Sequence, residues 1–401
     1  MRGLGLVVVL AAPAFGNVGG AQEAVTESQF LEGVGPEHAA ARALGEDLAR
    51  AEALRRRAAA LANPRLEFSR EQPDDSPRQD TWSLSWVPPV DGRRGLARAA
   101  AEAGLEAAQE RAALERARLR SEVRRAYADW SATLERRELL SGQLALVEDL
   151  AGKAQQRARV GEESGLAARR LELAASEVQA QLVVARTQQI RAEATALGWR
   201  PELAGRRPGL PELPPPPSTL DPANRPDLRA LQHEARQAAL EARLARRFWT
   251  APELQAGWQR LADRGSSVSG PVLGLAWTVP LFDRNQAGRI EAARREEIAV
   301  ARLALASARA ERELKAAQEA YAVAAAAAEA SADTTIDADR LITAAAASFR
   351  AGEATLTDLL DTLRAVREAR LRSLDLLGAA LEAHRELELW TSGPLTSGGQ
   401  R

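Results

Sequence analysis

The chain has 401 residues, a length that ordinarily indicates two or three domains, although a duplicated half would also allow one interleaved architecture. Its 54 basic and 55 acidic side chains leave a net charge of −1, so no basic field attracts nucleic acid and no nucleic-acid partner is expected. Cysteine is absent, which excludes disulfides, thiolate metal sites and cysteine nucleophiles.

The N-terminal segment predicts export. Met1 and Arg2 precede an apolar run, and small residues follow it up to Ala21, an arrangement typical of a signal peptide over residues 1–21. An unprocessed apolar tail is the alternative. No later segment approaches 18 consecutive apolar residues, so the sequence predicts no transmembrane helix.

Residues 37–62, rich in Ala, Arg, Glu and Leu, predict a helix that ends before Asn63-Pro64. Four short strand candidates follow, two in each half of the chain. In each strand, apolar residues alternate with small or polar ones, which gives the strand one apolar face. The apolar positions are Leu66, Phe68, Trp82, Leu84, Trp86, Leu254, Ala256, Trp258, Leu273, Leu275 and Trp277. The polar stretches 72–80 and 262–269 are predicted to be the loops that connect these strands.

The strand pattern fits two structures, a half-buried soluble hairpin or a lipid-facing membrane barrel with a wet lumen. Five of the eight tryptophans lie in or beside the strands, which favours the membrane because indole rings concentrate at bilayer interfaces. In that case Ser83 and Ser85 face the lumen, where an arginine would be tolerated far better than at Leu84. The residues predicted to face lipid are Trp82, Leu84, Trp86, Leu273, Leu275 and Trp277. Four strands cannot close a barrel, since the smallest membrane barrels need about eight, so a barrel requires several chains.

Long helices make up most of the remainder. Residues 92–160 predict one helix of roughly 100 Å, and 166–197 predict a second. The ranges 286–348 and 356–389 are their counterparts in the second half. A soluble coiled coil is the alternative, but alanine-rich seams suit the wall of a helical tunnel better than a two-stranded rod.

Residues 205–226 are Pro-rich and predict a stiff, extended linker. A ligand for a proline-recognition domain is the alternative, and export makes a spacer the better interpretation. The Gly/Ser/Thr-rich segment 391–401 is predicted to be a disordered tail.

The strand-to-helix transitions repeat. In the second, Pro280 ends an apolar run and Asp283 can satisfy free amides where a helix starts; Pro89 and Gly92 mark the first. Pro89 and Pro280 lie 191 residues apart (280 − 89), and Trp130 and Tyr321 keep this offset. The constant offset predicts a duplicated unit of a helix, two strands and a helical hairpin, over residues 22–204 and 227–390.

Catalytic motifs are missing from the sequence. It has no Gly-x-Ser-x-Gly elbow, no phosphate-binding glycine loop and no paired ligand cluster, so no enzyme activity, cofactor or dedicated metal site is expected. His38, His233 and His384 are far apart and are expected to be ordinary helix-surface residues.

Three motifs together resemble a known family: Val279-Pro-Leu-Phe-Asp-Arg-Asn-Gln286, Asn63-Pro-Arg-Leu-Glu-Phe68 and Asn224-Arg-Pro-Asp-Leu-Arg-Ala-Leu231. Together with the duplication, these motifs are similar to those of the TolC-like outer-membrane efflux proteins. The Phe-Asp-Arg-Asn-Gln motif is similar to that of the CzcC-type branch, which serves heavy-metal efflux pumps. The resemblance implies a homotrimer whose chains pool twelve strands into one β-barrel and whose antiparallel helices form an α-barrel tunnel in the periplasm. It also implies the outer membrane of a Gram-negative bacterium, contact with its lipid, and two protein partners, a periplasmic adaptor and an inner-membrane pump.

The resemblance further implies roles for residues at the helix tips. It places Gly161 and Glu162, with Gly352 and Glu353, where the adaptor docks. Asp358 and Asp361 are three residues apart on one helix face, and a threefold axis would stack them as two carboxylate rings at the periplasmic gate. A capping box at Thr355–Asp358 is the alternative explanation for Asp358. The family's usual lock residues are replaced by Ala354 and Ala167, and Phe349 stands where a tyrosine is usual, so closure must rest on other contacts.

The sequence thus predicts a passive exit duct in a tripartite efflux system, most consistent with an RND-type heavy-metal cation pump. A multidrug efflux or type I secretion duct of the same fold, and a soluble periplasmic coiled-coil scaffold or adaptor, are the alternatives.

Overall fold

The computed structural model describes residues 24–34, 45–72, 77–160, 165–217, 220–263 and 265–390. The predicted signal peptide, the predicted tail, His38 and the tip residues Gly161 and Glu162 lie outside this part of the chain. The protein divides into two compact units, and each takes segments from both halves of the sequence. We call Met1–Arg42, Arg116–Pro222 and Glu311–Arg401 the helical unit, and Ala43–Glu115 and Ala223–Ala310 the sheet unit.

Both halves contain a helix, two strands and then long helices, but α1 precedes this series in the first half, and three helices follow the strands in the second half where two do in the first. The first half comprises α1 (Glu27–Glu32), α2 (Gly45–Ala59), β1 (Arg65–Glu71), β2 (Arg78–Trp86), α3 (Arg93–Arg159) and α4 (Gly165–Trp199). The second comprises α5 (Pro226–Ala245), β3 (Glu253–Asp263), β4 (Ser266–Ala276), α6 (Gln286–Thr335), α7 (Ala338–Ala351) and α8 (Leu356–Glu388). Long helices and a small antiparallel sheet are therefore confirmed, while the division into two repeats stays a prediction.

The four strands form one antiparallel sheet in the order β1-β2-β3-β4. All four predicted strands are present, but the prediction of a loop over residues 262–269 was wrong. The β3–β4 ladder continues until Asp263 pairs with Ser266, and Gly265 has a φ of +105°. A glycine at positive φ allows a tight hairpin turn, so polar residues that resemble a loop remain in the ladder. Trp277 lies just beyond the end of β4.

The long helices agree with the prediction except at one point. A single helix was expected over 286–348, but α6 ends at Thr335 and α7 begins at Ala338. Thr334 and Thr335 donate their hydroxyls to the carbonyls of Ala330 and Ala332, at 2.8 and 2.9 Å. Hydroxyls that compete for helix carbonyls, followed by β-branched Ile336, weaken the helix at this position.

The core of the helical unit consists of separate clusters between helices. The first contains Phe30, Val123, Tyr127 and Trp130, and all of these side chains are at most 2% exposed. A second cluster includes Leu150, Leu171, Leu359 and Leu363. Burial of large apolar side chains at about 25 cal/mol per Å² is the main term that stabilises this packing.

The Pro-rich linker lies against helices of the helical unit. Tyr127 donates its hydroxyl to the carbonyls of Val25 and Gly209, at 2.8 and 2.7 Å, and Tyr321 donates to Pro214 at 2.6 Å. A Pro-rich segment has few N–H groups, so its carbonyls are held by side-chain donors. Burial raises the pKa of Tyr127 well above its usual value, which keeps the phenol protonated.

His384 also holds the linker, with its Nε2 atom 3.2 Å from the carbonyl of Pro215. The expectation of a surface histidine was wrong here, because His384 is only 5% exposed and packs against the ring of Tyr321. Its Nδ1 lies 3.6 Å from Glu388, which also pairs with Arg124. The expectation was wrong because the sequence around His384 is rich in alanine and gives no sign that this side chain is buried.

Candidate functional site

One face of the sheet is apolar and exposed. Leu273 and Leu275 are 85% and 70% exposed, and Trp82, Leu84 and Trp258 are each about half exposed. The register aligns these side chains in rows, with Trp82 beside Trp258 and Leu84 beside Leu66. β1 and β4 are the outer strands, so each has one edge unpaired within the described part of the chain. Exposed apolar patches of this kind mark membrane or protein interaction surfaces, and an unpaired strand edge can accept a further strand.

The opposite face differs from the prediction at Ser83. This side chain is only 5% exposed, and the reason is the close approach of β3, because a Cβ atom on Gly257 would lie 3.2 Å from Ser83 Cβ and 2.4 Å from the Trp82 carbonyl oxygen. The burial of Ser83 argues against the expectation that this position tolerates an arginine. Thr81, on the same face, is less buried and lies beside Ser69 and Gln259.

Trp86, at the end of β2, and Trp277, just after β4, make equivalent hydrogen bonds. Trp86 Nε1 donates to the carbonyl of Ala62 at 3.1 Å, and Trp277 Nε1 donates to that of Thr250 at 3.0 Å. Trp277 also stacks on Trp249, with ring centroids 5.1 Å apart. Each indole satisfies its single donor and leaves the ring on the surface, as an interfacial tryptophan does.

The transitions into the long helices contain the predicted residues in two different local structures. Gly92 has a φ of +73°, and the carboxylate of Asp91 accepts from the amide of Arg93 at 3.1 Å. In the second transition, Asp283 accepts from the amide of Asn285 at 2.8 Å, and Asn285 itself has a φ of +60°.

A side-chain hydrogen bond also joins each transition to the helix that precedes the strands. Arg94 donates to the carbonyl of Ala59, at the end of α2, and Asn285 Nδ2 donates to that of Ala245, at the end of α5, at 3.0 Å. The sequence analysis predicted neither of these two contacts. Pro89 is exposed and Pro280 is partly exposed, and neither makes a hydrogen bond of this kind within the described residues.

At the second tip, Gly352 ends α7 in the left-handed conformation, with a φ of +76°. The amide of Gly352 donates to the Phe349 carbonyl, and that of Glu353 donates to Ser348. Glu353 is exposed. The tip therefore has the predicted turn chemistry, and its role in docking stays a prediction.

Asp358 and Asp361 are both exposed on α8. Asp358 accepts from the amide and hydroxyl of Thr355, at 3.1 and 2.6 Å, so the capping box is present. These hydrogen bonds lower the pKa of Asp358 below its usual value. Asp361 has no ion-pair partner in the described chain, so its carboxylate is the one that the cap does not explain.

An ion-pair cluster that the sequence analysis missed joins α4 to α8. The carboxylate of Glu177 lies 3.0 Å from Arg367 and 3.4 Å from Arg364. Arg367 is only 7% exposed, whereas Arg364 is 58% exposed. Arg364 is three residues beyond Asp361, so this ion-pair cluster lies on α8 just after Asp358 and Asp361. Charged residues in a charge-rich helix gave no signal that one of them is buried.

The described residues contain neither a metal-binding cluster nor a membrane-spanning helix. No set of three or more histidine, aspartate or glutamate side chains is arranged to hold a metal ion. In the same residues, no helix combines the length and the apolar composition needed to cross a membrane.

The family described as "Outer membrane efflux protein" matches residues 222–392. The cobalt-zinc-cadmium resistance protein CzcC of Cupriavidus metallidurans is 27% identical over 335 residues, which cover 80% of this chain and 79% of that protein. The nickel-cobalt-cadmium resistance protein NccC of Alcaligenes xylosoxydans is 28% identical over 281 residues, 65% of this chain and 61% of NccC.

Solved structures share the fold at low sequence identity. A crystal structure of CusC superimposes with a TM-score of 0.74 at 16% identity, over 92% of each chain. The CmeC outer membrane channel of Campylobacter jejuni gives a TM-score of 0.72 at 11% identity, over 96% of this chain and 91% of CmeC.

Proposed function

We propose that this chain is the outer-membrane channel of a tripartite efflux system through which divalent metal cations leave the cell, because the outer membrane efflux protein family matches residues 222–392 and CzcC is 27% identical over 80% of the chain. The exposed apolar face of the sheet supports this function most directly. Hydrogen-bonded transitions connect the strands to the long helices. The sheet lies in the outer membrane, and the helices form the periplasmic tunnel. The channel takes its energy from the pump and needs no cofactor.

The unpaired edges of β1 and β4 support a homotrimer. Strands spanning a membrane must satisfy their backbone hydrogen bonds within protein, and twelve strands from three chains can close where four cannot. The apolar rows containing Trp82, Leu84, Leu273 and Leu275 then face lipid. We extend this to Trp86 and Trp277, whose rings lie at the end of the apolar rows nearest the helices.

Metal cations are the proposed cargo because the relatives are named for resistance to cobalt, zinc, cadmium and nickel. A duct should attract cations without trapping them. Threefold repetition of Asp361 places three carboxylates in one ring, and Asp358 adds a second ring. These residues form the proposed periplasmic gate.

The partners are an inner-membrane pump and a periplasmic adaptor. The turn at Gly352 and Glu353 is exposed, and its duplicate at Gly161 and Glu162 completes the proposed docking surface. Arg157 Nη2 donates to the Arg350 carbonyl at 3.2 Å, which joins the end of α3 to the end of α7 near this surface.

Conductance of the purified protein in a planar bilayer tests the channel. We expect a cation-selective current that divalent cations block from the periplasmic side. Asp361→Asn should weaken both selectivity and block without loosening the cap that uses Asp358. Glu353→Gln, which removes an exposed carboxylate at the tip outside the ring, should leave both unchanged. A protein that forms no channel contradicts the proposed function, and unchanged block in Asp361→Asn contradicts the gate.

A further inference from the structure

The apolar face of the sheet ends at a charged row on the side of the strand-connecting turns. Beyond the row that contains Phe68, Trp82 and Trp258, the next row contains Arg70, Asp80 and Arg260, which are register partners across three strands. Arg78 follows on the same face. Apolar side chains thus give way within two rows to three arginines and one carboxylate.

The carboxylate of Asp80 organises two of the arginines. Arg70 Nε lies 2.6 Å from Asp80 Oδ1, and Arg78 Nη2 lies 2.6 Å from Oδ2. The side chain of Asp80 is only 12% exposed, whereas Arg70 and Arg78 are 51% and 42% exposed. The two guanidinium groups are therefore held in place with donors still free on the surface.

The third arginine has no such partner. Arg260 is exposed, and it makes no ion pair with any residue that the structure describes. Its neighbour on β4 is Ser269, so no second carboxylate lies in this row. Among the described residues of these two rows, three cations and one anion leave an excess of two positive charges beside the exposed leucines and tryptophans.

We propose that Arg70, Arg78 and Arg260 form a binding site for the phosphate groups of a phosphorylated lipid in the outer leaflet of the outer membrane. The proposal rests on the proposed function, which places the apolar rows in lipid and the turns outside. Charge complementarity identifies the headgroup, because arginine binds phosphate through several parallel hydrogen bonds. The adjoining apolar rows accommodate the acyl chains.

Aromatic contacts support this position at the bilayer boundary. The Arg70 guanidinium carbon lies 5.7 Å from the centroid of Phe68, and Phe68 packs on Trp82 with centroids 4.4 Å apart. Aromatic rings followed by cations mark the level where acyl chains end and headgroups begin.

Native mass spectrometry of the full-length protein in mild detergent tests this site, with diphosphorylated lipid A and its dephosphorylated form as probes. The wild type should retain the phosphorylated form preferentially. Arg260→Gln should weaken retention about fivefold, since a cation near an anionic surface contributes about 1 kcal/mol. Arg65→Gln, on the opposite face of β1, is the matched control and should retain the lipid as the wild type does.

Several results would overturn the site. Equal retention of both lipid forms, or unchanged retention in both Arg260→Gln and Arg78→Gln, removes it. Displacement by an equivalent concentration of inorganic phosphate would show an ion site that does not recognise lipid. Bilayer conductance of the same samples separates the two proposals, because a conducting channel without lipid preference overturns only this inference.

Discussion

At the scale of single residues, His384 shows how burial converts an ordinary side chain into a pH-dependent one. Burial lowers its pKa below the usual 6.5, despite the opposing effect of Glu388. Below about pH 6.5 the unfolded chain binds a proton that the folded chain excludes, so the free energy of unfolding falls as the pH decreases.

We therefore expect the thermal midpoint of the wild type to fall more steeply below about pH 6.5 than that of His384→Gln, which has no proton to bind. Calorimetry of the detergent-solubilised protein from neutral to mildly acidic pH measures both slopes. Glutamine can still donate to the Pro215 carbonyl, so the two proteins should be most alike at neutral pH. Identical slopes would show that His384 does not contribute.

At the scale of elements, the two faces of β2 predict opposite responses to charge. Leu84→Arg should prevent assembly in the membrane, because an arginine near mid-bilayer costs about 2 to 4 kcal/mol. Thr81→Arg is the matched control, since it adds the same charge to the same strand on the polar face, beside neutral Ser69 and Gln259. Heat-modifiable migration of the membrane fraction measures assembly. Equal behaviour of the two variants would favour a soluble hairpin.

The ion-pair cluster between α4 and α8 gives the second prediction at this scale. Glu177→Gln leaves the buried Arg367 without its anion and should lower the free energy of unfolding by about 1 to 2 kcal/mol, a value reduced from that of a fully buried pair because Glu177 is 43% exposed. Arg364→Gln, which removes the exposed partner, should cost about 0 to 1 kcal/mol. Denaturant titrations compare the two. The larger loss in Arg364→Gln would refute the assigned importance of Arg367.

The strands and helices also show which parts of the fold could be predicted from the sequence. Period-two alternation in β1 to β4, and Gly or Pro at the ends of helices, located the strands and tips because both signals are local. The end of α6 at Thr335 depended on a weaker signal, the competition of threonine hydroxyls for helix carbonyls. The full length of β3 depended on the tight turn at Gly265, which is also a weak signal. The pair of Glu177 with Arg367 joins residues 190 positions apart (367 − 177), so no local pattern contains it.

At the scale of the whole molecule, each compact unit takes segments from both halves of the sequence. The two predicted repeats therefore do not form two separate units along the chain. Neither half contains all four strands, and the clusters of the helical unit combine α3 and α4 with α7 and α8. Both halves must be present before either unit is complete, which favours cooperative folding of the entire chain.

The attachment of the Pro-rich linker has a consequence for proteolysis. A linker between repeats is ordinarily where a protease cuts, but here Tyr127 on one half and Tyr321 and His384 on the other hold its carbonyls, and Pro208 and Pro211 are buried. A protease must draw an extended segment into its cleft, and these hydrogen bonds oppose that movement while the prolines remove backbone donors that the cleft would use. The boundary between the repeats should therefore resist cleavage as long as the helices around it stay folded.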